Sequence, residues 1–243
     1  MEKVIYTAMS GAEYALTAEQ IHANNLANAS TTGFRADFER VQAYPVTDSK
    51  NETRIMAQMT AGGINYAAGS MNRTDRPLDV AIRGDGFFTV QMADGKEAYT
   101  RDGEFSLNQS GQLTLNGYPV QGAGGPITVP EYRDIKIGED GVISITPAGG
   151  GATQQIGQLK LVNPDKTQLT KNSSGFLQLS DGTTASTDST IQVASGFLES
   201  SNVNPVDELI ASLSLTRSFD LQVKLMQSSD KQAEDGNKLI SNS

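Results

Sequence analysis

Hydrophobic positions repeat with two different periods along the chain, and the change of period marks its organisation. From Val4 to Leu26 there is no proline, and Ile5, Met9, Ala12, Leu16, Glu19, Ala23 and Leu26 step alternately by four and three. This is heptad spacing with one polar intrusion, and it predicts an amphipathic helix. Ala8, Ala15 and Ala18 widen a small-residue face beside that seam, where another helix could approach closely. At the other end, Asn204-Pro205-Val206-Asp207-Glu208 supplies an N-cap residue, a proline for the first helical position and acids for the first turn. Those choices suit the free N–H groups and the positive pole of a helix N-terminus. Leu209, Leu213, Thr216, Phe219, Val223 and Met226 continue at steps of three and four, and the helix is expected to end near Gly236. Leu213, Leu215, Phe219, Leu221, Val223 and Leu225 also fit a period of two, which would suit a strand. The capping signature and the lack of a breaker favour a helix. The double fit then predicts apolar side chains on more than one helix face, as neighbours on several sides require.

Between the two ends the period is two. Leu78, Val80 and Ile82 alternate, Gly84-Asp85-Gly86 follows, and Phe88, Val90 and Met92 alternate again, which reads as a hairpin. Asp94-Gly95 reads as a further turn. Phe105 and Leu107 precede Gly111, Leu113 and Leu115 follow it, and Asn116-Gly117 is the strongest hairpin signal in the chain because that pair suits a type I′ turn. Ile127 with Val129, Ile135 with Ile137, Ile143 with Ile145, Leu159 with Leu161 and Leu177 with Leu179 extend the alternation toward Leu198. Of the 24 glycines, 18 fall between Leu78 and Leu198. From Asp37 to Asp75 neither period persists, and Gly62-Gly63 and Gly69 punctuate a polar stretch. It reads as an extended linker or a long ordered excursion running against something else. The expected fold is α+β: long N- and C-terminal helices forming a coiled-coil-like pair, with a central antiparallel β-rich domain. The expected segments are 1–36 for the first helix, 37–75 for the linker, 76–198 for the β domain and 199–243 for the closing helix.

Composition narrows what such a chain can do. The 243 residues carry 19 basic against 28 acidic side chains, a net charge of −9, with mean hydropathy −0.36 and a pI near 4.6. That balance argues against a nucleic-acid footprint or an anionic-membrane patch. The absence of cysteine excludes disulfides, thiolate zinc sites, iron–sulfur clusters and thiol nucleophiles. Val4 to Met9 is interrupted by Ser10, Gly11 and Glu13 before it reaches the length of a secretory signal core. No apolar stretch approaches the roughly 18 residues of a membrane-spanning helix, so no membrane insertion is expected.

Candidate chemistry is sparse. The single imidazole, His22, is read either as a pH-sensitive interface contact or as a partly solvated helix residue. Gly84-Asp85-Gly86 lacks the lysine and following helix of a phosphate loop, and reads as a turn. The Asp-Gly pairs at Asp94, Asp102, Asp140 and Asp181 lack the calcium-loop spacing and read as hairpin turns. Asn24, Asn25 and Asn28 crowd the end of the first helix, where their amides could cap its last carbonyls or bridge to a neighbour, with Gly33 supplying a positive-φ turn. Asn51-Glu52-Thr53 is an N-x-T triplet of the kind a Ser/Thr-rich chain contains by chance. No acidic pair stands apart from the turn and surface acids, so no catalysis, cofactor or metal is expected; the alternative of another class, a β-rich cell-wall-active enzyme, would need a cleft with coupled carboxylates.

Two helices of 20 to 30 residues can bury little of their surface against each other alone. Their remaining apolar stripes need other copies or other proteins, and a repeated head-to-tail contact of that kind builds a helical filament. The residues expected at such an interface are Ile5, Met9, Ala12, Leu16, Asn24, Asn25, Leu26 and Asn28, with Leu209, Leu213, Phe219, Val223 and Met226.

The stretch ANNLANASTTGFRAD, Ala23 to Asp37, closely resembles the N-terminal motif of the flagellar rod and hook proteins. RPLDVAIRGDGFFTVQ, Arg76 to Gln91, and YTRDGEFSLNQSGQLTLNGYPVQG, Tyr99 to Gly122, are similar to the β-domain signature of that family. SGFLESSNVNPVDELI, Ser195 to Ile210, with Arg217 and Phe219, is similar to its closing helix. Within the family, the length and the opening Ile5-Tyr6-Thr7-Ala8-Met9 look most like a proximal rod protein, with the distal rod protein the alternative. Hook protein usually carries an outer domain for which this chain has no room. The resemblance implies a structural subunit of the periplasmic rod of the flagellar basal body. It further implies partners among copies of itself, other proximal rod proteins and the distal rod protein, and passage through the flagellar type III export apparatus without a cleaved signal peptide.

Overall fold

The computed structural model describes the backbone of residues 2–45 and 55–241, and the side-chain surroundings of residues 5–40 and 62–238. Helix α1 spans Glu2–Ala27 and helix α2 spans Pro205–Ser241, and the two pack against each other. The α2 start is built as its sequence dictates. Asn204 Oδ1 accepts from the Val206 N–H at 3.1 Å, Asn204 Nδ2 donates to Asp207 Oδ2 at 2.7 Å, and Pro205 opens the first turn. Its end differs from expectation. The helix passes through Gly236, where an added Cβ would meet nothing within 4 Å, so that residue costs only the helix propensity of about 1 kcal/mol and does not stop the chain.

Contacts divide the chain into two units that interleave in sequence. One comprises residues 1–29, 35–65 and 203–243, and the other 30–34 and 66–202. In the helical unit, residues that the sequence presents as a linker form a hairpin: β1, Asp37–Pro45, pairs antiparallel with β2, Ile55–Ile64, from Asp37 opposite Ile64 to Pro45 opposite Ile55. A bulge between Phe38 and Arg40 shifts the alternation by one, which hides the period of two. Gly62 and Gly63 punctuate no loop. They lie within β2 because Phe38 crosses there, and a Cβ at Gly63 would sit 2.1 Å from the Phe38 ring. Asn51-Glu52-Thr53 lies outside the described residues.

The β unit carries a five-stranded antiparallel sheet in the order 161–162, 87–91, 97–100, 177–179, 169–171, together with smaller sheets. Val80, Phe88, Val90, Phe105, Leu113, Leu115, Ile143 and Ile145 are among its fully buried side chains, and Phe88 meets Phe105 edge-on with ring centres 5.1 Å apart. The turn at Asn116-Gly117 has φ of 50° and 86°, both positive as a type I′ hairpin demands, and joins 113–115 to 118–119. Asp94 and Asp140 also sit in hairpin turns. Asp94, Asn108, Asp140, Asp165, Asn172, Asp181 and Asp188 each accept a hydrogen bond from the N–H two residues on, so side-chain oxygens punctuate this unit. Backbone N–H and then hydroxyl donors of Thr167 and Thr183 hold the carboxyls of Asp165 and Asp181 below the usual range, and the hydroxyl and then the N–H of Thr190 do the same for Asp188.

Three expected hairpin turns are something else: after Asp181-Gly182 the next strand, 192–195, does not pair with 177–179 but with 80–83. The strands flanking Gly84-Asp85-Gly86 do not pair with each other: 80–83 pairs with 192–195, and 87–91 pairs with 97–100 and 161–162. Buried Arg101 separates them, donating to the carbonyls of Ile82 at 3.2 Å and Gly86 at 2.8 Å. Asp102-Gly103 is a buried junction, where the Asp102 carboxylate accepts from the Glu104 N–H at 3.1 Å and a Cβ on Gly103 would strike the Val80 carbonyl at 1.8 Å.

Candidate subunit interface

The face of α1 covered by its own chain is the alanine face: Ala8, Ala12, Ala15 and Ala18 are all buried. Small residues bring α2 close, and a Cβ added to Gly11 would lie 2.9 Å from the Gln222 side-chain nitrogen. Near the other end of α1, His22 Nδ1 meets Glu208 Oε2 in the first turn of α2. These two contacts make the pairing antiparallel. His22 therefore ties the two helices of one chain together, with only 18% of its side chain exposed.

Asn25 completes that clamp. It is 1% exposed, donates through Nδ2 to the Asp37 carbonyl at 2.8 Å and to Glu208 Oε1 at 3.3 Å, and accepts from the Asp37 N–H at 2.9 Å. One side chain thus fixes the end of α1, the start of β1 and the start of α2. Asn25→Ala is expected to cost about 1–3 kcal/mol, because it removes a buried amide that satisfies both backbone groups of half-buried Asp37. Thermal melting followed by helix circular dichroism checks this, and a variant melting with the parent would contradict the clamp.

Tyr14 ties α1 to β1 in the same unit. Burial first, then hydrogen bonding to Glu39 and the charge of that carboxylate, push its phenol up to about 12. A raised folded-state value stabilises the fold below pH about 10, and that contribution disappears as pH rises through about 12. Subtracting the ultraviolet titration of Tyr14→Phe from that of the parent should therefore leave one phenol titrating late, with unfolding at high pH less steep in the variant.

The larger apolar side chains of both helices lie off the covered faces. On α1, Tyr6, Met9 and Leu16 are exposed and Ile5 is half-buried. On α2, Val206, Leu209, Ile210, Leu213, Leu221 and Leu225 are exposed, with Leu213 at 60% and Leu221 at 66%. Val206, Ile210 and Leu213 step by four and three and so share one face. Leu215, Phe219, Gln222, Met226 and Ser229 step similarly along the covered side, where Phe219 and Met226 are half-buried and Ser229 is buried. The period-two pattern is thereby resolved: Leu213, Leu221 and Leu225 point outward, and Leu215, Phe219 and Val223 are half-buried.

Of the expected interface residues, Met9, Leu16, Leu209 and Leu213 lie exposed, as does Asn24, while Ile5, Leu26, Phe219, Val223 and Met226 are half-buried. Ala12 and Asn25 are not exposed in the single chain. Both are covered by their own chain, the first because it belongs to the alanine face and the second because its amide is committed to Asp37 and Glu208. Asn28 caps its own helix, donating to the Asn24 carbonyl at 2.9 Å. Tyr6, Val206 and Ile210 are further exposed apolar side chains outside the expected set, and for Val206 and Ile210 the available signal was apolar character next to a capped helix start.

Three family descriptions match the chain. "Flagella basal body rod protein" covers residues 5–35, "Flagellar hook protein FlgE/F/G D1 domain" covers 81–145, and "Flagellar basal body rod FlgEFG protein C-terminal" covers 194–239. The chain is 39% identical over 249 residues to the flagellar basal-body rod protein FlgF of Salmonella typhimurium and 41% identical over 249 residues to FlgF of Escherichia coli, with 99% of each partner covered in both cases. It belongs to the FlgE/F/G family of flagellar rod and hook proteins. A FlgG protein of Buchnera aphidicola is also similar, at 34% identity over 89% of this chain and 93% of that one. The matched ends include both helices of the helical unit, so the family's terminal signatures in this chain are the segments that carry the exposed stripes. Among the described residues no helix is long and apolar enough to cross a membrane, and no three acidic or His side chains gather as a metal-ligand set.

Proposed function

We propose that this rod-family protein is a structural subunit of the proximal rod of the bacterial flagellar basal body. It polymerises with its own copies and with other rod proteins into a tubular shaft, which transmits torque and leaves a central export channel. The observation that carries this reading is the mismatch inside the helical unit. Helix α1 turns its alanines rather than Met9 and Leu16 to its own chain, and five leucines of the two helices, a methionine and a tyrosine are left outside. Each such side chain gains about 1.5–3 kcal/mol on full burial. Inter-subunit packing recovers that energy, and many parallel contacts at close-packed density resist twisting. Near-complete coverage of both FlgF relatives supports the proximal over the distal position. In this reading the neighbours are other proximal rod proteins and the distal rod protein. The site is the periplasmic part of the basal body, and the chain arrives through the flagellar type III export apparatus. Its task is mechanical rather than catalytic.

Removing the chain from its cell and purifying the basal bodies tests the reading. The expected result is basal bodies without a complete rod and cells without motility, both restored by the parent chain. Complete rods in its absence would overturn the proposal.

A further inference from the structure

Ser30–Phe34, in the middle of the N-terminal family motif, lies in the β unit although the residues on both sides of it belong to the helical unit. Thr32 Oγ1 donates to Asp102 Oδ1 at 2.8 Å, and the Gly33 N–H donates to the Glu199 carbonyl at 2.8 Å. The Phe34 carbonyl accepts from the Asn202 N–H at 3.3 Å, and Lys171 Nζ stands 4.4 Å from the centre of the Phe34 ring. The receiving carboxylate is itself built in: Asp102 is 7% exposed and is held by the Glu104 N–H and the Asn116 amide. Gly33 has φ of +64°, and a Cβ there would fall 2.2 Å from the Asp102 backbone nitrogen. Only glycine fits, for reasons of both conformation and space.

We infer that this part of the β unit is a peptide-binding groove, and that its occupant is the chain's own Thr32-Gly33-Phe34, acting as a strap. Hydroxyl, glycine and aromatic ring are each read separately: by a buried carboxylate, by the Arg101–Asp102 backbone that leaves no room for a side chain, and by a cation over the ring face. None of the three strap residues belongs to the buried apolar cluster of the β unit. The core therefore forms without the strap, and the strap opens as a local event. This assigns the TTGF portion of the motif to recognition within one chain, independently of how copies assemble.

The full-length chain tests it. Gly33→Val expels the strap and leaves the groove empty, so a synthetic peptide of residues 28–37 should bind this variant saturably. The parent should bind the peptide at least about tenfold more weakly, because its tethered strap competes at roughly millimolar effective concentration. A peptide carrying valine in place of glycine should bind neither. A folded variant that takes up the peptide no better than the parent overturns the inference, and so does a variant whose β core fails to fold, since the strap would then be part of that core. Thr32→Val and Asp102→Asn give a second reading. Combined, they should lower the melting temperature by clearly less than the sum of the single effects, and strict additivity would contradict direct recognition.

Discussion

Leu213→Asp is expected to stop assembly while leaving the isolated chain as stable as the parent to within about 0.5 kcal/mol. Leu213 is 60% exposed, so in the free chain the aspartate stays in water and disturbs no packing. In the proposed shaft the same position is expected to be covered. The substitution then loses the burial of a leucine and adds the desolvation of a charge, together about 3 kcal/mol or more at each contact, a factor above 100 in association. Leu215→Asp provides the contrast. That residue is half-buried on the covered side of α2, and its replacement is expected to lower the melting temperature of the free chain. Motility, rods in purified basal bodies and thermal melting separate the two variants. Normal rods carrying Leu213→Asp would remove this face from the interface.

Loss of either partner of the Arg101–Glu199 pair is expected to be the most damaging single change within the β unit. The two side chains are 4% and 2% exposed, with Arg101 Nη2 2.6 Å and Nε 2.8 Å from Glu199 Oε2. The remaining donors and acceptors of the pair are also engaged: the carbonyls of Gly86 and Ile82 accept from Arg101, and the Gly69 N–H donates to Glu199 Oε1 at 2.9 Å. Arg101→Met leaves a buried carboxylate without its counter-ion, which costs about 3–5 kcal/mol. At roughly 2–4 °C per kcal/mol for a unit of this size, melting should fall by about 6–20 °C. Arg101→Met with Glu199→Leu removes both charges and should recover part of the loss. Full recovery is not expected, because the Gly69 N–H and two carbonyls still lose their partners. A single variant melting within about 2 °C of the parent would contradict the role of the pair.

The helices were legible because their signals are local. Asn204, Pro205 and two acids mark the α2 start within four residues, and the apolar pattern that fitted two periods foretold a helix with greasy side chains on opposite sides. The seam through Ile5, Met9 and Leu16 was legible as a stripe. The face that α1 turns to its own chain was the neighbouring alanine stripe, because small residues allow the closer approach. The 37–64 hairpin escaped detection for a physical reason: a bulge after Phe38 breaks its alternation, and of the two glycines that look like a loop, Gly62 makes room for the Phe38 carbonyl and Gly63 for its ring. Gly84-Asp85-Gly86 carries turn chemistry, yet its flanking strands find partners about 110 and 75 residues away, a choice made by tertiary packing rather than by turn type. The clamp joining His22, Asn25 and Glu208 spans 186 residues of sequence and left no local trace.

The central claim is that the outward stripes on both helices are wet in the free chain and dry in the rod. The chain has no cysteine, so a single cysteine at position 16 or 213 is the only thiol present, and both parent leucines are exposed. The measurement is the rate at which a maleimide labels each thiol, in the purified chain and in intact basal bodies. The account expects labelling as fast as at an exposed control site in the free chain, and slower by about a hundredfold or more once assembled, as local opening by about 3 kcal/mol requires. Equal labelling in both states would contradict it.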